Sequence, residues 1–141
     1  MSKRLDENLG YVGPDNLIAD MYPPADPFTV KIRKEATAAT VYKRGTVLAL
    51  SASGTAADGK MVILGTEPHK TSGAADEVLT ANCVLAEDTE VGTDADAVAI
   101  AYRTGHFNEN MLTVAASYTL SAADKEALRT AGILLSDAVT I

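Results

Sequence analysis

The side chains that could carry covalent chemistry in this sequence are few. Cys83 is the one cysteine among 141 residues, and His69 and His106 are the two histidines. A nucleophilic site needs a cysteine or serine beside a histidine base that a third group orients. Cys83 lies in an apolar run, which is typical of a buried thiol with a raised pKa. Both histidines adjoin loop or turn residues, so we expect exposed or turn histidines.

The sequence also lacks the short motifs that build catalytic or cofactor sites. It contains no HExxH, CxxC or Gly-x-Ser-x-Gly motif and no glycine-rich phosphate loop. Five acidic residues between Glu87 and Asp96 suggest a calcium site. They lack the ligand spacing of an EF-hand loop and are interpreted as a solvated acidic loop. We therefore expect no enzymatic activity, no metal and no cofactor.

Charge and length exclude further classes of function. Twelve basic and 19 acidic residues give a formal charge of −7, which disfavours binding to the phosphates of nucleic acids. No apolar run approaches the ~18 residues that span a bilayer, and the first residues do not resemble a signal peptide. We expect a protein made in the cytoplasm, with no nucleic-acid or membrane partner. Its length predicts a single compact domain.

The first 27 residues predict an extended arm. Four of the five prolines lie in this segment, where they remove backbone donors and hold φ at extended values. Two interpretations are open: a disordered tail or strap over its own domain, or an arm whose apolar side chains dock on another protein. The candidate docking residues are Tyr11, Pro14, Asp15, Asn16, Leu17, Ile18, Met21 and Tyr22.

Residues 28–141 show the pattern of short β segments. Apolar and polar residues alternate over residues 28–33, and Gly45 fits the turn of a hairpin. Ser121 and Asp124 form a capping box ahead of a short helix that Gly132 ends. Residues 133–135 and 138–141 predict two closing strands. The sequence thus predicts a mainly β domain over residues 28–141, with one short helix, preceded by the arm over residues 1–27.

Five sequence blocks follow one another along nearly the whole chain. They are residues 11–19 (Tyr-Val-Gly-Pro-Asp-Asn-Leu-Ile-Ala), 44–48, 58–64, 103–112 (Arg-Thr-Gly-His-Phe-Asn-Glu-Asn-Met-Leu) and 128–135 (Leu-Arg-Thr-Ala-Gly-Ile-Leu-Leu). Their order and spacing, together with the proline-rich arm, resemble the head decoration proteins of tailed bacteriophages, the lambda-type decoration family. The acidic segment and the longer arm depart from the minimal lambda-type pattern.

This resemblance implies a capsid cement protein with a small fold of the β-clip or β-tulip kind. Such a protein joins the outer surface of the expanded head as a homotrimer at local three-fold positions. It contacts the major capsid protein and stabilises the shell against the packaged DNA. The expected location is therefore the outer surface of the capsid in the virion.

The arm also suits docking on physical grounds. An extended segment can add as a strand to a sheet edge, with Tyr11, Leu17 and Ile18 filling pockets, and three arms per trimer would combine through effective concentration. A second candidate interface, to the trimer or to the capsid, consists of His106, Phe107 and Asn108. An intrachain core position is the other interpretation of Phe107. The alternative function is a small β-rich adaptor or receptor-binding module with a docking arm.

Overall fold

The computed structural model describes residues 17–20 and 22–137. This part of the chain is mainly β with one α-helix, as the sequence predicts. The helix, α1, spans Ala122–Ala131, and a 3-10 turn spans Glu109–Met111. The strands are β1 (Ile18–Asp20), β2 (Asp26–Ile32), β3 (Thr40–Tyr42), β4 (Val47–Ser53), β5 (Met61–Ile63), β6 (Lys70–Thr71), β7 (Ala74–Ala75), β8 (Val78–Leu85), β9 (Thr89–Val91), β10 (Ala97–Asn108) and β11 (Ile133–Ser136).

Five of these strands pair into a closed ring. β10 pairs with β2, β2 with β5, β5 with β4, β4 with β8, and β8 again with β10. The β2–β5 contact is parallel and consists of the single pair Ile32 and Met61, whereas the other four are antiparallel. A closed ring leaves few unpaired strand edges, which disfavours edge-to-edge aggregation.

Two apolar clusters lie on the two sides of the ring strands. All five ring strands contribute to the first cluster, the ring core, which is therefore the interior of the ring. Its buried members are Val30, Ile32, Tyr42, Leu48, Met61, Cys83, Leu85, Val91, Ala99 and Ala101. The second cluster, the outer core, packs on the outside of the ring. Its buried members are Leu17, Val47, Ala49, Val62, Leu64, Ala81, Val84, Phe107, Leu128 and Ile133.

The two cores explain why β4 and β8 are apolar on both faces. Successive residues of a strand point to opposite faces. Val47 contributes to the outer core and Leu48 to the ring core, and Cys83 and Val84 alternate in the same way on β8. Residues 47–50 of β4 and 83–85 of β8 therefore appear in the sequence as continuous apolar runs and lack the alternation that marks residues 28–33.

The helix begins and ends where the sequence predicts. The Ser121 hydroxyl accepts a hydrogen bond from the Asp124 N–H at 3.1 Å, and the Asp124 carboxylate accepts one from the Ser121 N–H at 3.0 Å. Gly132 ends the helix in the left-handed conformation, with φ at 117°. Leu128 is the buried residue of α1, and it packs into the outer core. The predicted capping box and glycine stop are confirmed.

The last four residues of β10 extend beyond the ring. They pair with β11 in parallel on one side, and β1 pairs with this end of β10 in antiparallel on the other. β10 thus joins the ring to a small three-stranded sheet. Residues 17–20, which the sequence interpretation includes in the arm, are thus bonded to β10 through this sheet. Tyr11, Pro14, Asp15, Asn16, Met21 and the predicted strand at 138–141 lie outside the described residues.

Candidate functional site

Leu17 anchors the start of the described chain. Its carbonyl oxygen accepts a hydrogen bond from the Asn108 N–H at 2.7 Å, and its side chain is only 1% exposed within the outer core. We refer to residues 17–20 and 22–25 as the root, because residues 1–16 precede them in the chain. The sequence left two interpretations open for Leu17, a strap over its own domain and a side chain that fills a pocket of another protein. The structure corrects the second for this residue, since the end of β10 supplies an apolar site for Leu17 within its own domain.

Two other predicted docking residues point to solvent from the root. Ile18 is 41% exposed and Tyr22 is 79% exposed. Asp20 pairs in register with His106, and its carboxylate lies 4.0 Å from the His106 Nδ1 atom. Large exposed apolar side chains on a fixed backbone are suited to contact with another protein. The root therefore combines one buried anchor with two exposed contact residues.

The end of the root and the start of β2 are also held on β10. Pro24 accepts a hydrogen bond from the Thr104 hydroxyl at 2.7 Å, and Asp26 forms an ion pair with Arg103 at 3.3 Å. The Arg103 guanidinium lies 5.0 Å from the centre of the Phe28 ring, within cation–π range. Attachments on both sides of Tyr22 reduce the conformational entropy that its ordering would cost on binding.

Of the second candidate interface, only one side chain reaches the surface. Phe107 is fully buried, with its ring centre 5.4 Å from that of Tyr102, so the intrachain core interpretation is confirmed. Asn108 is also buried, and its Oδ1 atom accepts a hydrogen bond from the Asn110 N–H at 3.1 Å. The side chain of His106 is partly exposed. A direct contact of Phe107 or Asn108 with a partner is therefore excluded in this conformation.

His106 borders a surface cavity of about 300 Å³. Its apolar wall consists of Ile133, Leu134 and Leu135 of β11. Two ion pairs lie at its rim, Lys125 with Glu109 at 2.9 Å and Arg129 with Glu126 at 2.7 Å. An apolar centre with a charged rim is typical of a protein contact surface.

The sequence predicts a closing strand at residues 133–135 but does not indicate that this strand lines a surface cavity. Leu134 is 36% exposed, between the buried Ile133 and the half-buried Leu135. The period-two alternation of a strand could have indicated this surface, because it turns every second side chain of an apolar run outward.

Cys83 and His69, which could carry covalent chemistry, lie in different parts of the fold. Cys83 is buried in the ring core, and burial raises its pKa to about 12, so it is a protonated thiol at neutral pH. The predicted buried thiol is confirmed. His69 Nδ1 lies 2.6 Å from an oxygen of Asp76, and the Thr71 hydroxyl donates to the same carboxylate. The Thr71 hydroxyl is thus bonded to the carboxylate and not to the imidazole.

The acidic segment uses its carboxylates in structural contacts. Asp88 accepts a hydrogen bond from the Arg44 N–H at 2.8 Å. Asp96 accepts one from the Lys34 N–H at 3.0 Å and forms an ion pair with Lys60 at 2.6 Å. Within residues 17–20 and 22–137, no three His, Cys, Asp or Glu side chains are grouped as a metal site. No helix in this part of the chain has the length and apolar character to span a membrane.

No family model matches the chain, and no curated protein matches it closely enough to indicate a relationship.

Proposed function

We propose that this chain is a structural capsid decoration protein. It binds the outer surface of an expanded viral head and stabilises the shell against internal DNA pressure. The observation that carries this proposal is the root. Leu17 fixes the root to the body, while Ile18 and Tyr22 remain exposed beside the point where residues 1–16 join. The role is binding and not catalysis, and the proposed capsid partner is the major capsid protein.

The body would act as the rigid base of this contact. Two apolar cores and a closed ring of strands, all within residues 17–20 and 22–137, support the root. We propose that three copies assemble around a local three-fold axis and use the surface beside His106 and Leu134 as a subunit contact. Three roots per assembly would then combine by effective concentration, so that weak single contacts give strong retention.

Stabilisation of the shell follows from linkage. A protein that binds the expanded lattice and not its disrupted form stabilises each site by about 2.7 kcal/mol when it is present at a hundredfold excess over Kd. The net charge of −7 is compatible with a position on the outside of the head, away from the packaged DNA.

The test is retention on expanded heads that were assembled without decoration protein. Two changes are compared by co-sedimentation, a deletion of residues 1–16 and the substitution Tyr22→Ala. The deletion stops before Leu17 because removal of Leu17 and β1 would also damage the outer core. We expect the deletion to abolish retention and Tyr22→Ala to weaken it about tenfold or more. Circular dichroism should show a folded body in both variants.

Val98→Ala is the matched control. Val98 is 67% exposed on the ring part of β10, away from the root, and its truncation should leave retention unchanged. Full retention after deletion of residues 1–16, together with full retention of Tyr22→Ala, would refute docking through the N-terminal segment.

A further inference from the structure

A buried carboxylate lies at the end of the ring that is remote from the root. Glu77 is only 2% exposed and precedes β8. Glu77 forms an ion pair with Arg33, the residue that directly follows β2. The neighbouring Ile32 pairs with Ala97 at the start of β10, which places Glu77 near that end of the strand. From Ala97 to His106 a strand rises roughly 30 Å, at ~3.3 Å per residue. Glu77 is thus separated from the root by nearly the length of β10.

Three elements donate hydrogen bonds to the Glu77 carboxylate. The Ser51 hydroxyl of β4 donates to Oε2 at 2.6 Å, and Arg33 forms an ion pair with the same oxygen. The His69 N–H, in the loop before β6, donates to Oε1 at 3.0 Å. A buried carboxylate is stable only when it is paired and hydrogen-bonded in this way.

Arg33 connects this carboxylate to a second one. Its guanidinium bonds to both oxygens of Asp58, at 2.9 and 3.0 Å, in the loop between β4 and β5. The Asp58 carboxylate also accepts the Lys60 N–H at 3.0 Å, and the Asp58 N–H donates to Ser51 at 3.2 Å. Residues 54–60 and the loop that precedes β8 are thus both bonded to one polar cluster, which we call the clamp: Arg33, Ser51, Asp58 and Glu77. The end of the first loop is also bonded to the backbone of β4, where Ser51 accepts from the Gly59 N–H at 3.1 Å and donates to the Lys60 carbonyl at 3.0 Å.

The hairpin formed by β6 and β7 depends on this attachment. All side chains from Lys70 to Ala75 are exposed, and among the strands that the structure describes these two pair only with each other. The main attachments of the hairpin and its base are the bond from His69 to Glu77 and a bond from the Ala56 N–H to the Asp76 carbonyl at 2.9 Å. The two loops are thus fixed to each other and to the ring by polar contacts, whereas the two cores are apolar.

The charges of the clamp favour its ionised form. Burial acts to raise the pKa of Glu77, but the hydrogen bonds from Arg33, Ser51 and the His69 N–H outweigh it and lower the pKa. The bond from Arg33 likewise lowers the pKa of Asp58. The other titratable groups nearby are His69, which contacts Asp76 inside the hairpin, and Lys60, which forms an ion pair with Asp96.

We propose that protonation of the Glu77 carboxylate opens the clamp. The ionised carboxylate holds residues 54–60 and residues 69–76 against the ring, and its protonation releases both segments together while both cores stay folded. The proposal is independent of capsid binding, because no clamp residue belongs to the root or to the cavity beside His106.

The test is hydrogen exchange of the full chain, followed by mass spectrometry between pH 7 and pH 3. Protection factors are corrected for the intrinsic pH dependence of exchange. We expect the amides of His69, Ala56 and Lys60 to lose protection in acid, by up to about tenfold per pH unit. Amides in β4 and β8 should retain protection over the same range. Loss of all of them in a single step, or unchanged loop protection down to global unfolding, would overturn the proposal.

Two variants localise the effect to this carboxylate. Glu77→Gln should reduce loop protection at pH 7 about tenfold or more and remove the pH dependence at the His69 amide, which donates to this carboxylate. Ser51→Ala removes one hydrogen bond to the carboxylate while leaving the charge, and should move the loop transition to higher pH. Glu126→Gln, which changes an exposed ion pair on α1, is the control and should keep the wild-type profile. A wild-type profile in either clamp variant contradicts the proposal, so one purified variant is enough for the test.

Discussion

The ring of Phe107 lies directly against Gly105. A Cβ atom built at position 105 would be 2.5 Å from two carbons of that ring. Residues 105 and 107 lie on the same face of β10, so the absence of a side chain at 105 makes room for the largest side chain of the outer core.

Gly105→Ala should therefore destabilise the domain. The added methyl group forces Phe107 out of its position, and overpacking of this kind costs about 1–3 kcal/mol. Urea denaturation measures the free energy of unfolding. Gly92→Ala is the control, because a Cβ at position 92 meets no atom within 4 Å. Equal stability of the two variants would contradict the packing of Phe107 on Gly105.

Leu17 and Ile18 should respond differently to truncation, although they are neighbours and both apolar. Leu17→Ala leaves a cavity in the outer core and should cost about 2–5 kcal/mol. Ile18→Ala removes a half-exposed side chain and should change stability by about 0.5 kcal/mol or less. Thermal or urea unfolding distinguishes them. A stable Leu17→Ala variant would mean that Leu17 is not the anchor of the root.

Cys83 should be inert in the folded protein. Its burial, and a pKa of about 12, leave almost no thiolate at pH 8. A thiol-specific reagent should modify Cys83 only after the chain is unfolded in urea. The native and denatured modification rates are compared by absorbance, and rapid modification of the native protein would place Cys83 outside the ring core.

The stability of the whole domain should fall in acid. Glu77 and Asp58 have lower pKa values in the folded protein than their ordinary values of about 4. Groups of this kind contribute stability above the unfolded pKa, and the contribution is lost as the pH falls through the folded pKa. We expect urea midpoints to be constant above about pH 5 and to decline below it. A midpoint that rises on acidification would contradict the ionised clamp.

Arg33→Gln should raise the pH at which this decline begins. It removes the cation that both carboxylates share, and leaving a buried charge unpaired costs about 3–5 kcal/mol. The comparison is made with Arg129→Gln, which interrupts the exposed pair with Glu126 and should cost much less. Similar losses in the two variants would mean that Glu77 is not stabilised by Arg33.

The features that depend on neighbours in sequence were the predictable ones. The limits of α1 follow from Ser121, Asp124 and Gly132, which act within one turn of the helix ends. The alternation over residues 28–33 marks β2 because one of its faces meets the ring core and the other meets solvent.

The features that join distant residues were not predictable. Leu17 has its site beside Phe107, ninety positions along the chain, and nothing in residues 11–19 distinguishes an internal anchor from a docking side chain. The parallel pairing of β11 with β10, and hence the cavity beside His106, also requires the assembled sheet. Glu77 appears in the sequence as one acidic residue among many, and its burial depends on Arg33 and Ser51 arriving from separate strands.

The antiparallel pairing of β1 with β10 also determines how the body would bear mechanical load. Any tension applied to residues before Leu17 enters through the Leu17–Asn108 hydrogen bond and the buried leucine side chain. A pull along the axis of β10 loads the β1–β10 contacts in shear, so that they resist together, whereas a sideways pull opens them one after another. The domain should therefore hold a strained partner most firmly when the force runs parallel to its longest strand.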